Sequence, residues 1–151
     1  MLFGDVELVA SDDAARLAEA GLKIFRKGER QRFNQPCSCF DGKLCSIYAE
    51  RPERCRTFEC RMLQRVHSGE VAIPAALYSV GQARTVVDEV RELVRKMGNT
   101  DETVPLNRRY AAIAAQPLDL SVENDESLEV RSELMLAVSR LIHIIERDFL
   151  K

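Results

Sequence analysis

With 151 residues, 46% of them hydrophobic and 30% charged, the chain can build one apolar core and is too balanced in composition to be disordered. A formal charge of −2 excludes the broad basic surface of a nonspecific phosphate binder, so nucleic acid is not an expected partner. Without Trp, and with three Tyr and six Phe, the core must come mainly from Leu, Val, Ile and Ala, which suits packed helices.

In chain order, Val6, Glu7, Leu8 and Val9 alternate as a short strand does. Ser11, Asp12 and Asp13 offer an N-cap and an acidic first turn for a helix over 14–20, and Gly21 suits its C′ position. Residues 22–25 form a second short strand candidate. The polar stretch 27–44, punctuated by Gly28, Asn34, Pro36 and Gly42, predicts a loop, with Asp41-Gly42 turning the chain between Cys39 and Cys45. A brief extended segment over 45–48 follows. Pro52 suits the start of a helix reaching His67 and ending near Gly69.

A second helix begins near Pro74 and stops at Gly98, with Leu77, Val80, Ala83, Val87, Val90, Val94 and Met97 on one expected buried stripe. Residues 105–115 predict a short helix. Asn124 or Asp125 caps a last long helix whose expected apolar face is Leu128, Met135, Val138, Leu141, Ile142, Ile145 and Phe149. The expected fold class is mainly α. A small cysteine-rich, metal-stapled loop module over 33–66 packs on a helical body over 70–151, with one or two short strands near the N-terminus, in a single domain 1–151. The two long amphipathic helices also suit a protein partner or a homodimer through their apolar faces.

The most apolar stretch, 134–150, is interrupted by Arg140, His143, Glu146, Arg147 and Asp148, so no membrane span is expected. The first residues, Met1 to Glu7, have neither the basic n-region nor the apolar run of a signal peptide. The expected location is the cytoplasm, where thiols stay reduced.

All five cysteines lie between Cys37 and Cys60, spaced Cys37-x-Cys39-x5-Cys45-x9-Cys55-x4-Cys60. Cysteines serving as small core hydrophobes would be scattered, and an odd number in a reducing compartment argues against a disulfide framework. The simplest chemistry is one ion held by four of the five sulfurs. Zn²⁺ takes four thiolates tetrahedrally at about 2.3 Å, and all-sulfur ligation suits iron or an iron–sulfur cluster as well. The loop over 36–48 is too polar to fold on apolar burial alone, and a metal joining it to the next helix would supply the missing stabilisation. Arg51, Arg54, Arg56, Arg61 and Arg65 would offset the negative charge of four thiolates on a dication, although Glu50, Glu53 and Glu59 dilute them. The bland reading of these arginines is a solvated helix face.

Geometry sets a condition. On an unbroken helix Cys55 and Cys60 would differ by about 140° and about 7.5 Å, so binding one ion together requires a break between Arg56 and Glu59. His67 would lie about 10 Å beyond Cys60 on a continuous helix and reads as a surface or packing residue, as does His143. The fifth thiol is either reactive and exposed or an inert spare. No paired carboxylates, Ser/His/Asp set or G-x-G loop stands out, and no catalytic residue is assigned.

From Cys37 to Cys60 the residues resemble the CxxCxxCC family of zinc- or iron-chelating domains. That family's pattern has a Cys, a short loop, then Cys-x-Ile-Tyr, Arg-Pro, Cys-Arg and Phe-x-Cys. Here these are Cys37, Cys45-Ser46-Ile47-Tyr48, Arg51-Pro52, Cys55-Arg56 and Phe58-Glu59-Cys60. The resemblance implies Cys37, Cys45, Cys55 and Cys60 as ligands, with Cys39 an extra. It implies a Zn or Fe ion, or an iron–sulfur cluster, in a protein of unassigned biochemical role. It extends to flagellin lysine N-methylases, which would imply a methyl-donor cofactor and an enzyme. Family members usually carry the close-set cysteine group just before a segment like 2–8. Met1 stands where that group would end, so the group is either lost here or encoded upstream of the given start.

Overall fold

A computed structural model describes residues 4–117 and 126–150. In chain order the described elements are β1 (Asp5–Glu7), α1 (Ala14–Glu19), β2 (Ile24–Lys27), β3 (Arg30–Asn34), a 3-10 turn (Tyr48–Glu50) and α2 (Glu53–Thr57). They continue with α3 (Arg61–His67), α4 (Ile73–Lys96), α5 (Leu106–Ala114), α6 (Glu126–Ile145) and a π-helical turn (Glu146–Leu150). The fold is mainly α with a small sheet near the N-terminus, as the Leu/Val/Ile/Ala-rich composition predicts. Two compact units divide the chain: Met1–Phe58 with Glu102–Arg108, and Glu59–Asp101 with Arg109–Lys151.

The first unit carries an antiparallel sheet in the order β1-β3-β2. Its central strand, β3, occupies the middle of the stretch expected to be a loop, and that expectation is corrected here. The residues look like loop because most are polar, yet they alternate with a purpose. Phe33 pairs with Val6 and Ile24 on the face that meets the core. On the opposite face Arg32 meets Asp5 at 2.6 Å and Glu7 at 3.3 Å, and Arg30 meets Glu7 at 3.0 Å. Polarity marks the outer face of a strand with one buried side.

Behind the sheet α1 begins at Ala14 as expected, but its N-cap is Asp13, whose carboxylate accepts the Arg16 N–H at 3.1 Å, and its first turn holds no acidic residue. Gly21 ends it at φ +98°, a conformation that disfavours any residue with a Cβ. Leu17 from α1 and Leu8, Leu22, Phe33 and Cys39 make the buried cluster of this unit.

In the second unit α4 packs along α6. The buried face of α4 is Ala76, Ala83, Val90, Leu93 and Val94, not the expected stripe in full: Leu77 and Val80 are exposed. Heptad-spaced Ala76, Ala83 and Val90 let the neighbouring helix approach closely, and the bulkier Leu77 and Val80 fall to its flank. On α6 the buried residues are Leu134, Ala137, Val138 and Leu141, whereas Ile142 from the expected face is exposed. Arg140 and Glu89 join the two helices at 2.5 Å. The expected cap of α6, Asn124 or Asp125, lies outside the described residues.

Gly98 stops α4 as predicted, at φ +81°. The Asn99 N–H donates to the Val94 carbonyl and the Gly98 N–H to the Arg95 carbonyl, the Schellman pattern. Arg109, 2% exposed, donates to the Asn99 side-chain oxygen at 3.1 Å and to its carbonyl at 2.6 Å. Among the described residues no helix is long and apolar enough to cross a membrane.

Candidate metal centre

The cysteine segment is built from three short pieces. In the first, Ser38 fastens the Cys37–Cys39 strip to the end of α1: its hydroxyl accepts the Lys23 N–H and donates to the Gly21 carbonyl, both at 2.9 Å. This anchors Cys39 in the core, 4% exposed, and leaves Cys37 half-buried beside it. The Cys39 backbone N–H donates to the Cys37 sulfur at 3.4 Å, the kind of bond that stabilises a thiolate.

The second piece is a tight loop. Phe40 and Cys45 bridge antiparallel, and the Cys39 carbonyl accepts the Ser46 N–H at 2.8 Å. At its tip the Asp41 carboxylate accepts the N–H groups of Leu44 at 2.7 Å and Lys43 at 2.8 Å, which holds its carboxyl below the usual carboxylate range. Gly42 supplies φ +102°. The expected Asp41-Gly42 turn is present, but the extended segment expected over 45–48 shrinks to the single bridge at Cys45, and the chain then turns into the 3-10 turn at Tyr48.

The third piece runs from the 3-10 turn into α2. Asp12, two residues before α1, accepts the Glu53 N–H at 2.9 Å and so caps α2 from a distance. Ser11 donates to the Glu53 carboxylate, and Arg16 pairs with Glu50 at 2.6 Å. With Pro52 at the N-cap, this sets Cys55 against the same core that Cys37 and Ile47 touch.

The helix expected from Pro52 to His67 is two helices. Phe58, at φ −69° and ψ 119°, leaves helical geometry after Thr57, and Cys60 becomes the N-cap of α3. Thr57 contributes by turning its hydroxyl back onto the Glu53 carbonyl at 3.0 Å, a bond that weakens helix continuation. The break lies where the shared-ion condition demands one, between Arg56 and Glu59. His67 is exposed and stands 3.4 Å from Glu59, and His143 is exposed on α6.

All five cysteines are free thiols. Burial pushes the Cys37 thiol up to about 11; the Cys39 N–H opposes this, and the Cys39 and Cys55 sulfurs add to it. Burial raises Cys55 as well, with the neighbouring Cys45 sulfur adding and the Arg51 guanidinium opposing. Cys55 is thus in electrostatic range of both Cys37 and Cys45. Of the four expected ligands, Cys37 and Cys55 pack against the core cluster that holds Cys39, and Cys45 bridges Phe40 in the loop between them. Cys60 is half-buried and opens the second unit's α3.

Among the described residues no three His, Cys, Asp or Glu side chains are arranged so that they could hold a metal ion. The donor chemistry nonetheless fits a thiophilic cation: Cys37 and Cys55 are half-buried against one small core, and the Cys37 sulfur already accepts an N–H. Of the two readings of the fifth thiol, the burial of Cys39 fits the inert spare and not the exposed, reactive one. Ser38 and Asp12, which position the strip and α2, were not legible in the sequence, since their partners lie 15 and 41 residues away.

Residues 6–74 match the model of a family described as "CxxCxxCC: Putative zinc- or iron-chelating domain". No match was found among curated proteins or among solved structures. The matched range holds all five cysteines and runs from β1 into the first turn of α4. Residues 6–74 of this chain are thus similar to the CxxCxxCC family.

Proposed function

We propose that residues 6–74 bind one Zn²⁺ through Cys37, Cys45, Cys55 and Cys60, and that the ion is structural. Four thiolates fill the coordination sphere and leave no open position for a substrate. The ion would fasten the loop between Cys37 and Cys45 to α2 and to the start of α3, where apolar burial is scant. The observation that carries this reading is that Cys37 and Cys55, 18 residues apart in the chain, both pack half-buried against the one core cluster that holds Cys39. The break after Thr57 supports including Cys60, because it removes the rotation that a continuous helix would impose. Iron is the second reading, favoured by the all-thiol donor set.

Anaerobic purification followed by elemental analysis and a visible spectrum tests both. About one zinc per chain and no visible absorbance is the expected result. Stoichiometric iron with thiolate-to-iron absorbance would replace zinc by iron. A metal-free protein that is fully folded would overturn the reading.

A further inference from the structure

Helix α4 carries a second apolar face beside the one it buries. Next to the buried Ala76 and Ala83, Ile73, Leu77 and Tyr78 stand 63%, 65% and 70% exposed, and Val80 joins them. A solvated helix face is ordinarily charged, yet no charged residue occurs over 71–83. These side chains present a patch on the order of 500 Å², as large as the biggest apolar patches that monomers carry. Gly81 lies on the same face, one turn after Leu77, inside a 24-residue helix where glycine is a poor helix former. A Cβ built on it would meet nothing within 4 Å, so no packing among the described residues accounts for the glycine.

Leu77 and Gly81 form a bump and a hollow about 6 Å apart along the helix. A two-fold axis between them, with the helices antiparallel, sets the Leu77 of each copy over the Gly81 of the other and fills both hollows with one operation. Because it is uncharged, the face meets its own copy without like-charge repulsion, whereas a partner chosen by charge would find nothing there to pair with. Within the same unit, the stretch 118–125 does not reach the face. It leaves from Gln116, which lines a cavity with Met97 at the far end of α4. That end is about 30 Å from Leu77, and eight extended residues span at most about 29 Å with no return to α6.

We propose that two copies of this chain associate through residues 73–81 of α4, antiparallel about a two-fold axis, with each Leu77 seated on the other copy's Gly81. Ile73, Tyr78 and Val80 close around the two contacts. Together the two faces withdraw about 1,000 Å² from water, near the lower limit of specific interfaces, so the dimer is a weak one. It is independent of the metal-binding reading.

Sedimentation equilibrium of the full chain, from about 1 to about 500 µM, tests the pairing. The expected result is a monomer–dimer equilibrium with a dissociation constant on the order of 10–100 µM. Leu77→Glu, at an exposed site, is expected to keep the helical circular dichroism and to weaken association at least tenfold. Gly81→Lys is expected to weaken it as much. In a lone chain that substitution meets open space and only improves helix propensity, so a purely structural glycine would leave association untouched. Mixed one to one, the two variants are expected to recover most of the association, because the new carboxylate of one then faces the new ammonium of the other. Should Leu77→Glu lose helicity, Gly81→Lys alone decides. A chain that stays monomeric throughout, a dimer that either substitution leaves unchanged, or a mixture that stays monomeric overturns the pairing. None of these readouts involves metal, so their failure leaves the zinc reading standing.

Discussion

Cys39 lies among Leu8, Leu17, Leu22 and Phe33 at 4% exposure, while Cys37, only two positions earlier, remains half-buried with its sulfur accepting an N–H. Extended backbone would put both sulfurs on one side; a turn, closed by the Phe40 N–H on the Cys37 carbonyl at 3.0 Å, instead carries Cys39 into the core and leaves Cys37 at its rim. Cys39→Ala should therefore cost about 1–2 kcal/mol in a urea titration, by loss of buried volume, and leave metal content unchanged. Cys39→Ser should cost more, since it places a hydroxyl among apolar side chains. Metal lost in the alanine variant would make Cys39 a ligand in place of one of the other four. The family resemblance implies Cys39 as the extra thiol; that it packs as a hydrophobe was not legible, because nothing local says which of two nearby thiols faces inward.

At the scale of elements, the join between α2 and α3 carries the consequence for metal binding. Two helices meeting at Phe58 place Cys55 in one and Cys60 at the head of the other, whereas a continuous helix would turn them about 140° apart. Thr57→Ala with Phe58→Ala replaces two poor helix formers by the best one. The double variant should gain helical circular dichroism and lose zinc affinity by about tenfold or more. Equal affinity with increased helicity would remove Cys60 from the ligand set.

The π-helical turn offers a second test at this scale. Arg147 donates twice to the Asp148 carboxylate at 2.7 Å, and this bond holds Asp148 below its ordinary 3.8, with the charges of Arg147, Arg65 on α3 and His143 adding to it. A carboxyl depressed in the folded state stabilises above its unfolded pKa, and that contribution is lost as pH falls through the folded value. Asp148→Asn should therefore be less stable than the parent near neutrality, with the difference closing below about pH 4. A gap between the two proteins that stays constant through acid unfolding would show that Asp148 acts by packing alone.

Across the whole molecule, the two compact units lean on different forces. The second has a helical core in which Leu134, Val90 and Val94 are fully buried, and it can hold on apolar burial. The first gathers a small core under a polar loop. Chelation should thus raise amide exchange over 36–58 while α4 and α6 stay protected. Leu134→Ala should do the reverse, destabilising the α4–α6 pair by about 2–5 kcal/mol without changing metal content. Uniform loss of protection on chelation would mean that the units unfold as one.

What the sequence by itself determined is what short-range physics controls. The mainly α class, the start of α1 at Ala14, the stops at Gly21 and Gly98, and the Asp41-Gly42 turn each depend on atoms within a few residues. The clustering of thiols was countable, so the candidate site was legible as a region. Only the tertiary structure decided what depends on distant partners. Arg32 reads as loop until Asp5 and Glu7 stand across from it, and Asp12 reads as part of α1 until Glu53 needs a cap. The choice of Ala76 over Leu77 as the buried face of α4 belongs to the helix packed against it, because periodicity gives a stripe's spacing while its rotation is set by the neighbour's shape.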